Sequence, residues 1–355
     1  MRALVVEDSA YQRLRIVEAL RAVAGVDEVE AVGSGEEAIR RLLTTPFDLV
    51  TLDLGLPGMD GHAVLRWIMA NRPLPVVVIS ADQEERSALA ALEAGALDVI
   101  GKAGAQPEKL ARWKRRLADV VDGARQLSLD SLVRRSAARA AGPPSGGAAP
   151  RPRRAPVPLG HPPGLVVAAS TGGPPALREL FAALPPQDAV VGVAQHMPPP
   201  FTRSLAQRLT SGTSWDVREA VHGLDASPGV VWIAPGGSHL ELSRQGDRLV
   251  LGVRAHVPSA RWCPSADLLF TSAAAAFGPR AVGVVLTGMG DDGAQGSLAI
   301  ATAGGTVLCE SAESAVISGM PDAAARVVPE ARRLSLSRLP EEIERRLAEV
   351  ARPSS

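Results

Sequence analysis

The sequence predicts an α/β protein of two domains, each built on a parallel β-sheet. Short β-branched stretches alternate with amphipathic helical patterns over residues 2–123, and the same alternation restarts at residue 164. Between them, a segment rich in Pro, Gly, Ala and Arg at 136–163 has almost no large apolar side chains. The length of 355 residues also suits two domains. We expect an N-terminal domain at 1–123, a flexible linker at 124–162 and a C-terminal domain at 163–350.

The composition narrows the class of protein. Hydrophobic residues make up 46% of the chain, which is enough for two cores. Lys plus Arg equals Asp plus Glu at 38 each, so no basic field suggests a nucleic-acid partner. The two cysteines, Cys263 and Cys309, argue against a disulfide framework. No signal-peptide pattern and no apolar run of about 18 residues is visible, so we expect a cytoplasmic protein without direct membrane insertion.

The elements of the N-terminal domain alternate regularly. The predicted strands are "ALVVED", "VEAVG", "FDLVTLDL", "LPVVVIS" and "ALDVIGK". The predicted helices are "SAYQRLRIVEALRAVA", "SGEEAIRRLLTT", "GHAVLRWIMANR", "QEERSALAALEAG" and "PEKLARWKRRLADVV". This order predicts a doubly wound parallel sheet, in which sites form at the carboxyl ends of the strands.

Acidic, hydroxyl and amine side chains occur at four of those strand ends. They are Glu7 and Asp8, Asp53, Ser80 and Lys102. Carboxylates that converge at one sheet edge repel one another unless a hard cation such as Mg²⁺ neutralises them. With that charge balanced, Asp53 could attack phosphorus, and Lys102 would offset charge on the transferred group. Charged residues also mark strand ends for purely structural reasons, but that explanation does not account for the whole ordered set.

With these residues and the "LPGMDG" that follows Asp53, the region at 2–123 resembles a response-regulator receiver domain with a flavodoxin-like five-stranded sheet. The resemblance implies that Asp53 is phosphorylated and that Mg²⁺ is held by Asp53 and its neighbours. Those neighbours are Glu7, Asp8 and the Gly55 carbonyl. Ser80 and Lys102 would then contact the phosphoryl group.

Two positions depart from the receiver pattern. Val99 stands where the family usually has an aromatic residue, and Ala103 stands where a proline often follows the lysine. An aromatic rotamer switch therefore cannot operate in the usual way, which leaves the relay of phosphorylation open.

The C-terminal domain repeats the strand–helix alternation. Its predicted core strands are "GLVVAAS", "DAVVGVAQH", "GVVWIAP", "RAVGVVLTG" and "GGTVLCE". A stretch that alternates around a Gly-Asp turn, "HLELSRQGDRLVLGV", predicts an added β-hairpin. The pattern predicts a doubly wound α/β domain.

Three strands of this domain lead to Ser170, His196 and Asp292, the side chains of a nucleophilic hydrolase. On "ASTGGPP" alone, a plain turn is the favoured explanation of Ser170 over a strand-to-helix elbow that presents a nucleophile. A lone histidine at a strand end, such as His196, is more often structural than catalytic. In the glycine-rich "GMGDDGAQG", backbone N–H groups around Met289 and Gly290 could form an oxyanion hole, with Thr171 beside the nucleophile. The other histidines, His62, His161, His222, His239 and His256, show no ligand spacing and do not predict a zinc site.

In combination, "ASTGG", "QHMP", "PSADLLF" and "LTGMGDDGAQG" are similar in order and spacing to the chemotaxis protein-glutamate methylesterase (CheB) family. The resemblance implies hydrolysis of glutamate γ-methyl esters, and deamidation of glutamines, on chemoreceptor cytoplasmic domains. Ser170 would attack, His196 would transfer the proton and Asp292 would orient His196. Asp292, rather than Asp291, takes that role by motif alignment. Ester hydrolysis would need no cofactor, and a histidine kinase would donate the phosphoryl group to the receiver.

Other functions remain to be weighed against this one. A phosphorylation-regulated DNA-binding protein is disfavoured, because neither a helix-turn-helix pattern nor a basic output domain is visible. A receiver-controlled scaffold with an inactive esterase fold is disfavoured by the intact serine, histidine and aspartate. The same chemistry in a non-motility chemosensory array stays open.

Overall fold

A computed structural model describes residues 1–80, 85–102, 106–125, 127, 162–256 and 261–351. The chain divides into two compact units, Met1–Arg153 and Arg154–Ser355. The predicted linker at 124–162 lies almost entirely outside the described residues, as does Ala103. None of the described helices is long and apolar enough to cross a lipid bilayer.

The first unit is a five-stranded parallel sheet, as the sequence predicts. Its elements are β1 (Arg2–Val6), α1 (Ala10–Arg21), β2 (Glu28–Val32), α2 (Gly35–Thr44), β3 (Leu49–Leu52), α3 (Gly61–Asn71), β4 (Val76–Ser80), α4 (Glu85–Ala94), β5 (Asp98–Gly101) and α5 (Pro107–Arg125). The strand order is β2-β1-β3-β4-β5. Ser9, Ser34 and Asp60 begin α1, α2 and α3 by accepting a backbone N–H of the first turn.

The second unit contains a seven-stranded parallel sheet and a separate hairpin. Its elements are β6 (Gly164–Ala169), α6 (Gly173–Ala183), β7 (Val190–Gln195), α7 (Pro199–Gly212), β8 (Asp216–Glu219), β9 (Val230–Ile233), β10 (Ser238–Gln245), β11 (Arg248–Ala255), α8 (Ala266–Phe277), β12 (Ala281–Val285), α9 (Ala294–Thr302), β13 (Thr306–Glu310), α10 (Gly319–Val327), β14 (Arg332–Leu334) and α11 (Leu339–Val350). The sheet order is β14-β13-β12-β6-β7-β9-β8, and β10 pairs with β11 in the hairpin.

The sequence prediction missed the two edge strands, β8 and β14. Both are short, and their letters, "DVRE" and "RRL", include several charged residues. Charged side chains are common on edge strands, where they discourage pairing with other chains. They also interrupt the apolar pattern by which a strand is recognised in a sequence. The central strands β6, β7 and β12 are buried along their whole length. Their carboxyl ends lie side by side and carry the candidate site.

Candidate active site

Ser170 and His196 leave two adjacent strands at the same level of the sheet. Ser170 follows β6 and His196 follows β7, and the last residues of these strands, Ala169 and Gln195, are partners in the register. The His196 N–H donates to the Ala169 carbonyl at 3.0 Å. Two side chains that lie far apart in the sequence are therefore neighbours at one sheet edge.

The chain turns sharply after Ser170. The Ser170 N–H donates to the Thr287 carbonyl at 3.0 Å, and the Gly173 N–H donates back to the Ser170 carbonyl at 2.8 Å. Gly172 has φ +78°, a conformation that residues with a Cβ rarely adopt. Helix α6 begins directly after this turn, as expected for a strand-to-helix elbow.

Ser170 is buried, and its Oγ has no hydrogen-bond partner among the described residues. Gly288 packs against it so closely that a Cβ on Gly288 would lie 2.8 Å from the Ser170 Cβ. Any larger residue at 288 would displace the serine. The hydroxyl is thus held in a crowded position without being used in a structural hydrogen bond.

His196 and Asp292 form a buried hydrogen bond of 2.7 Å between Nε2 and Oδ2. Because an ionised carboxylate can only accept, Nε2 carries the proton, and Nδ1 is the nitrogen with a free lone pair. His196 Nδ1 has no hydrogen-bond partner in the described residues, so no bond joins it to Ser170 Oγ in this structure. Apo enzymes often show such a contact open, and it tightens only when substrate is bound.

The N-terminus of α8 fixes Asp292. The Ala266 N–H donates to Oδ2 at 2.7 Å, the Asp267 N–H donates to Oδ1 at 3.0 Å, and the Ser265 hydroxyl donates to Oδ1 at 3.1 Å. Burial alone would raise the pKa of Asp292, but the bonds from His196 and from these N–H groups hold the pKa below its usual range. Asp292 is therefore a fixed anion, which is what a partner of an imidazolium must be.

Asp291 and Asp292 differ sharply in their surroundings. Asp292 is 2% exposed and bonded to His196, whereas Asp291 is exposed to solvent. Asp267 supports the same loop, because its Oδ1 accepts the Gly293 N–H at 2.9 Å and the Gly296 N–H at 2.7 Å. The "PSADLLF" motif thus carries both the cap of α8 and the groups that hold the aspartate loop.

Trp262 was not singled out from the sequence, yet it packs flat on His196. The ring centroids are 4.8 Å apart and the planes differ by 4°. The Arg261 guanidinium lies over the Trp262 ring, 5.0 Å from its centroid. The stack therefore fixes the orientation of the imidazole plane.

The loop between β12 and α9 holds the predicted oxyanion donors. The Gly288 N–H donates to Ile317 and the Gly288 carbonyl accepts from Met320. Within the described residues, the N–H groups of Met289 and Gly290 have no backbone acceptor. Gly290 has φ +90° and lies against Trp262. Thr171 is fully buried next to Ser170.

A cavity of about 620 Å³ opens beside Asp292. Trp262, Asp291 and Asp292 are among its lining residues, and so are Arg261 and Arg326. Neither Ser170 nor His196 lines it. The cavity therefore flanks the candidate triad and does not cover the serine.

In the first unit, the predicted acidic cluster forms. Carboxylate oxygens of Glu7, Asp8 and Asp53 lie within 4.8 Å of one another. Lys102 Nζ contacts Asp53 Oδ2 at 2.6 Å and Glu7 Oε2 at 3.2 Å. Burial, followed by the Asp53 charge, raises the pKa of Glu7 to about 7. Three oxygen ligands with a single ammonium beside them leave negative charge that suits a hard divalent cation.

The remaining receiver positions lie around this cluster. The Gly55 N–H donates to Asp53 Oδ1 at 3.2 Å. Ser80 is buried at the end of β4, where its carbonyl accepts the Lys102 N–H at 2.8 Å. Val99 is buried in β5 and pairs with Val78. The strand ends thus bring Asp53, Ser80 and Lys102 to one edge.

Comparison with known proteins gives consistent matches. Residues 165–343 match the family model for CheB methylesterase, and residues 3–113 match the response regulator receiver domain. A Geobacter sulfurreducens protein named protein-glutamate methylesterase/protein-glutamine glutaminase 3 is 39% identical over 97% of this chain and 96% of its own. An Anaeromyxobacter dehalogenans protein with the same name, numbered 6, is 42% identical over 92% of this chain and 89% of its own. The crystal structure of the Thermotoga maritima CheB methylesterase catalytic domain aligns with 54% of this chain and all of that domain, with 35% identity and a TM-score of 0.51.

Proposed function

This chain belongs to the CheB methylesterase family and carries a response regulator receiver domain, and from that premise we propose that it hydrolyses glutamate γ-methyl esters on chemoreceptors. The observation that carries the proposal is the buried His196–Asp292 hydrogen bond beside the unbonded Ser170 hydroxyl. In this proposal residues 163–350 form the catalytic domain and residues 1–123 the regulatory receiver, in a cytoplasmic protein.

The site geometry suggests how each group acts. Ser170 Oγ attacks the ester carbonyl while His196 Nδ1 takes its proton, and Asp292 stabilises the imidazolium through Nε2–H. N–H groups at Met289 and Gly290 stabilise the oxyanion, with Thr171 beside the nucleophile. His196 then returns the proton to the leaving methoxide, and methanol departs. His196 then takes a proton from water, whose oxygen attacks the acyl-enzyme carbonyl. The same proton passes from His196 to Ser170 Oγ as the acyl bond breaks, which releases glutamate and restores the serine.

The same steps support glutamine deamidation. An amide carbonyl accepts the Ser170 oxygen in the same way, and protonation by His196 lets ammonia leave in place of methanol. The acyl-enzyme that follows is identical. The names of the relatives, which combine methylesterase and glutaminase, agree with this single chemistry.

We further propose that phosphorylation of Asp53 controls the esterase. Glu7, Asp8, Asp53 and the Gly55 carbonyl would hold Mg²⁺, which neutralises charge on the entering phosphoryl group. Lys102 is an ion-pair partner of Asp53, so its ammonium lies where it can contact a phosphoryl oxygen on that residue. In this proposal Ser80 also contacts the phosphoryl group. A histidine kinase supplies the phosphoryl group.

Methanol release from methylated receptor membranes tests the catalytic part. We expect Ser170→Ala to lower the rate by roughly a thousandfold or more. Ser211→Ala, the same substitution at an exposed position on α7, should leave the rate within about twofold. Substantial methanol release by a folded Ser170→Ala protein would remove Ser170 as the nucleophile.

Labelling with radioactive acetyl phosphate and Mg²⁺ tests the regulatory part. The wild-type chain should take up label and release methanol faster, whereas Asp53→Asn should do neither. Asp122→Asn, a matched change on α5, should behave as wild type. Label retained by Asp53→Asn would reassign the phosphorylated residue.

An inactive scaffold is the second candidate, and one observation favours it: no hydrogen bond joins Ser170 to His196. An unreactive serine would give no methanol from any methylated receptor, with or without phosphodonor. The buried Asp292, with hydrogen bonds to both oxygens, favours the enzyme. A neutral pair of side chains would serve stability as well as an ionised carboxylate bonded to an imidazole, so the ionised pair indicates catalysis. Motility and non-motility arrays share the chemistry, so they are distinguished by which receptors are demethylated.

A further inference from the structure

His239, His256 and Cys263 form a cluster that the sequence did not predict. His239 lies in β10 and His256 directly follows β11, so the hairpin brings together two histidines that lack ligand spacing in the sequence. Their ring centroids are 5.9 Å apart. A ring nitrogen of each histidine and the Cys263 Sγ lie within 4.8 Å of one another. None of these side chains takes part in the proposed ester hydrolysis.

The tautomer of His239 follows from its neighbour. The Ser265 N–H donates to His239 Nδ1 at 3.2 Å, and a backbone N–H can only donate. Burial, together with the nearby His256, lowers the pKa of His239, which favours a neutral ring. The single ring proton is therefore on Nε2. His239 is 1% exposed and its Nε2 has no hydrogen-bond partner among the described residues, which leaves a buried N–H donor without an acceptor.

A buried N–H donor suits an anion better than a metal ion. A neutral imidazole that binds a metal through Nε2 must carry its proton on Nδ1, and here the Ser265 N–H faces Nδ1. Cys263 is the member of the cluster that can become an anion. The second cysteine of the chain, Cys309, provides a contrast, because its full burial raises the pKa of the thiol to about 12.

We propose that Cys263 is a reactive thiol whose thiolate is stabilised by His239 Nε2–H, with His256 as proton acceptor, and that hydroperoxides and other soft electrophiles modify it. With a hydroperoxide ROOH, the Cys263 proton passes to His256 and the thiolate sulfur attacks the outer oxygen. An S–O bond forms as the O–O bond breaks. The leaving alkoxide takes the proton from His256, giving the sulfenic acid and an alcohol. Sulfur is oxidised and the peroxide is reduced.

Modification at Cys263 has a route to the esterase. Cys263 directly follows Trp262, the residue stacked on His196, and directly precedes the segment that begins α8 and holds Asp292. Added bulk or polarity on Sγ therefore shifts groups that orient the imidazole, and we expect the esterase rate to fall. This consequence rests on the proposed function, whereas the reactivity of the thiol does not.

Alkylation with iodoacetamide at pH 7 tests the thiol itself, with the peptides of Cys263 and Cys309 quantified by mass spectrometry in the full-length chain. Cys263 should react roughly fivefold or more faster than glutathione, because a larger thiolate fraction outweighs its lower intrinsic nucleophilicity. Cys309 should remain unlabelled. His239→Asn keeps an acceptor for the Ser265 N–H and removes the Nε2–H donor, so labelling should slow at least about threefold. His256→Asn, at a partly exposed position, should slow it similarly.

A second readout separates this proposal from the ester chemistry. Hydroperoxide should give a dimedone-reactive sulfenic acid on Cys263 and should lower methanol release. Dithiothreitol should reverse both effects, and hydroperoxide should not lower methanol release by Cys263→Ser. Labelling no faster than glutathione, or unchanged in both histidine variants while they remain folded, overturns the proposal. Protection of Cys263 by one equivalent of Zn²⁺, reversed by a chelator, also overturns it in favour of a metal site. If neither the wild-type protein nor its variants release methanol, the proposed esterase function fails. The iodoacetamide and dimedone labelling measurements still test the reactivity of Cys263 in that case.

Discussion

At the residue scale, both carboxylate oxygens of Asp292 accept hydrogen bonds, and each of them is faced only by donor groups. Oδ2 accepts from His196 Nε2 and the Ala266 N–H, and Oδ1 accepts from the Asp267 N–H and the Ser265 hydroxyl. An amide in place of the carboxylate would turn its NH₂ group toward one of these donors. Burial of such an unpaired contact costs about 1–3 kcal/mol.

We therefore expect Asp292→Asn to lower kcat for methanol release by roughly a thousandfold or more and to lower the melting temperature as well. Asp291→Asn makes the same chemical change at the exposed neighbour and should leave both quantities nearly unchanged. The two variants need only an activity assay and a thermal melt. Similar losses at the two positions would contradict the assignment of Asp292.

The Trp262 stack gives a second prediction at this scale. Trp262→Leu removes the aromatic face over His196 and should lower kcat about fivefold, in line with about 1 kcal/mol for a cation held against an indole. Trp262→Phe keeps an aromatic face and should retain most of the rate. Equal rates for the Leu and Phe variants would show that the ring face contributes nothing.

The site residues divide by how their position is encoded. Ser170, His196 and Asp292 could be chosen from the sequence because each occurs in a short motif that follows a strand. The choice between Asp291 and Asp292 rested on alignment, since nothing local distinguishes two adjacent aspartates. Trp262, the bonds from Ser265 and the His239–His256–Cys263 cluster depend on how α8 and the hairpin pack, which no local pattern reports.

At the element scale, α11 is tied to the edge strand β14 by one carboxylate. Glu342 on α11 contacts Arg332 of β14 at 2.5 Å, Arg345 at 2.6 Å and Arg346 at 2.9 Å. The hydrogen bond from Arg345 lowers the pKa of Glu342 to about 2. Burial opposes this shift, and the other two arginines add to it. In the unfolded chain the pKa of this carboxyl lies near the ordinary glutamate value of 4.5. The stabilisation is therefore present above pH 4.5 and is lost as the pH falls through about 2.

Glu342→Gln should accordingly lower the free energy of unfolding by roughly 1–2 kcal/mol at pH 7, a value reduced for the partial exposure of the arginines. The difference from wild type should shrink below pH 4.5. Glu349→Gln, on the same helix and 45% exposed, should cost less than about 0.5 kcal/mol. Urea unfolding of the three proteins at pH 7 and pH 3 checks this. A difference that grew toward acid pH would contradict the sign.

The elements themselves were mostly readable from the sequence. The buried strands β6, β7 and β12 have continuous apolar letters, and the helices α1 to α3 begin at Ser or Asp caps, so pattern and structure agree there. The edge strands β8 and β14 form because neighbouring strands pair with them through hydrogen bonds. Their own short, charged sequences do not indicate this pairing, because it depends on residues far away in the chain.

At the scale of the whole molecule, the two compact units each have their own sheet and core. Surfaces between such units usually resemble transient interfaces, so a change of a few kcal/mol suffices to favour docking or release. We expect the fragment 160–355 to release methanol faster than the unphosphorylated full-length chain. Asp53→Asn should stay slow and should not respond to acetyl phosphate. A fragment no faster than the intact, unphosphorylated chain would rule out inhibition by the receiver.

The placement of the candidate triad on β6, β7 and the loop after β12 has a kinetic consequence. His196 and Asp292 are 96 residues apart in the chain. Their hydrogen bond can form only after β12 has paired with β6, and a hairpin and several helices lie between these two strands in the sequence. Contacts of such long sequence separation form late and slowly in folding. During refolding from urea, helical circular dichroism should therefore recover before catalytic turnover. Enzyme activity then reports completion of the central sheet, and partly folded chains made during synthesis would bear no active esterase.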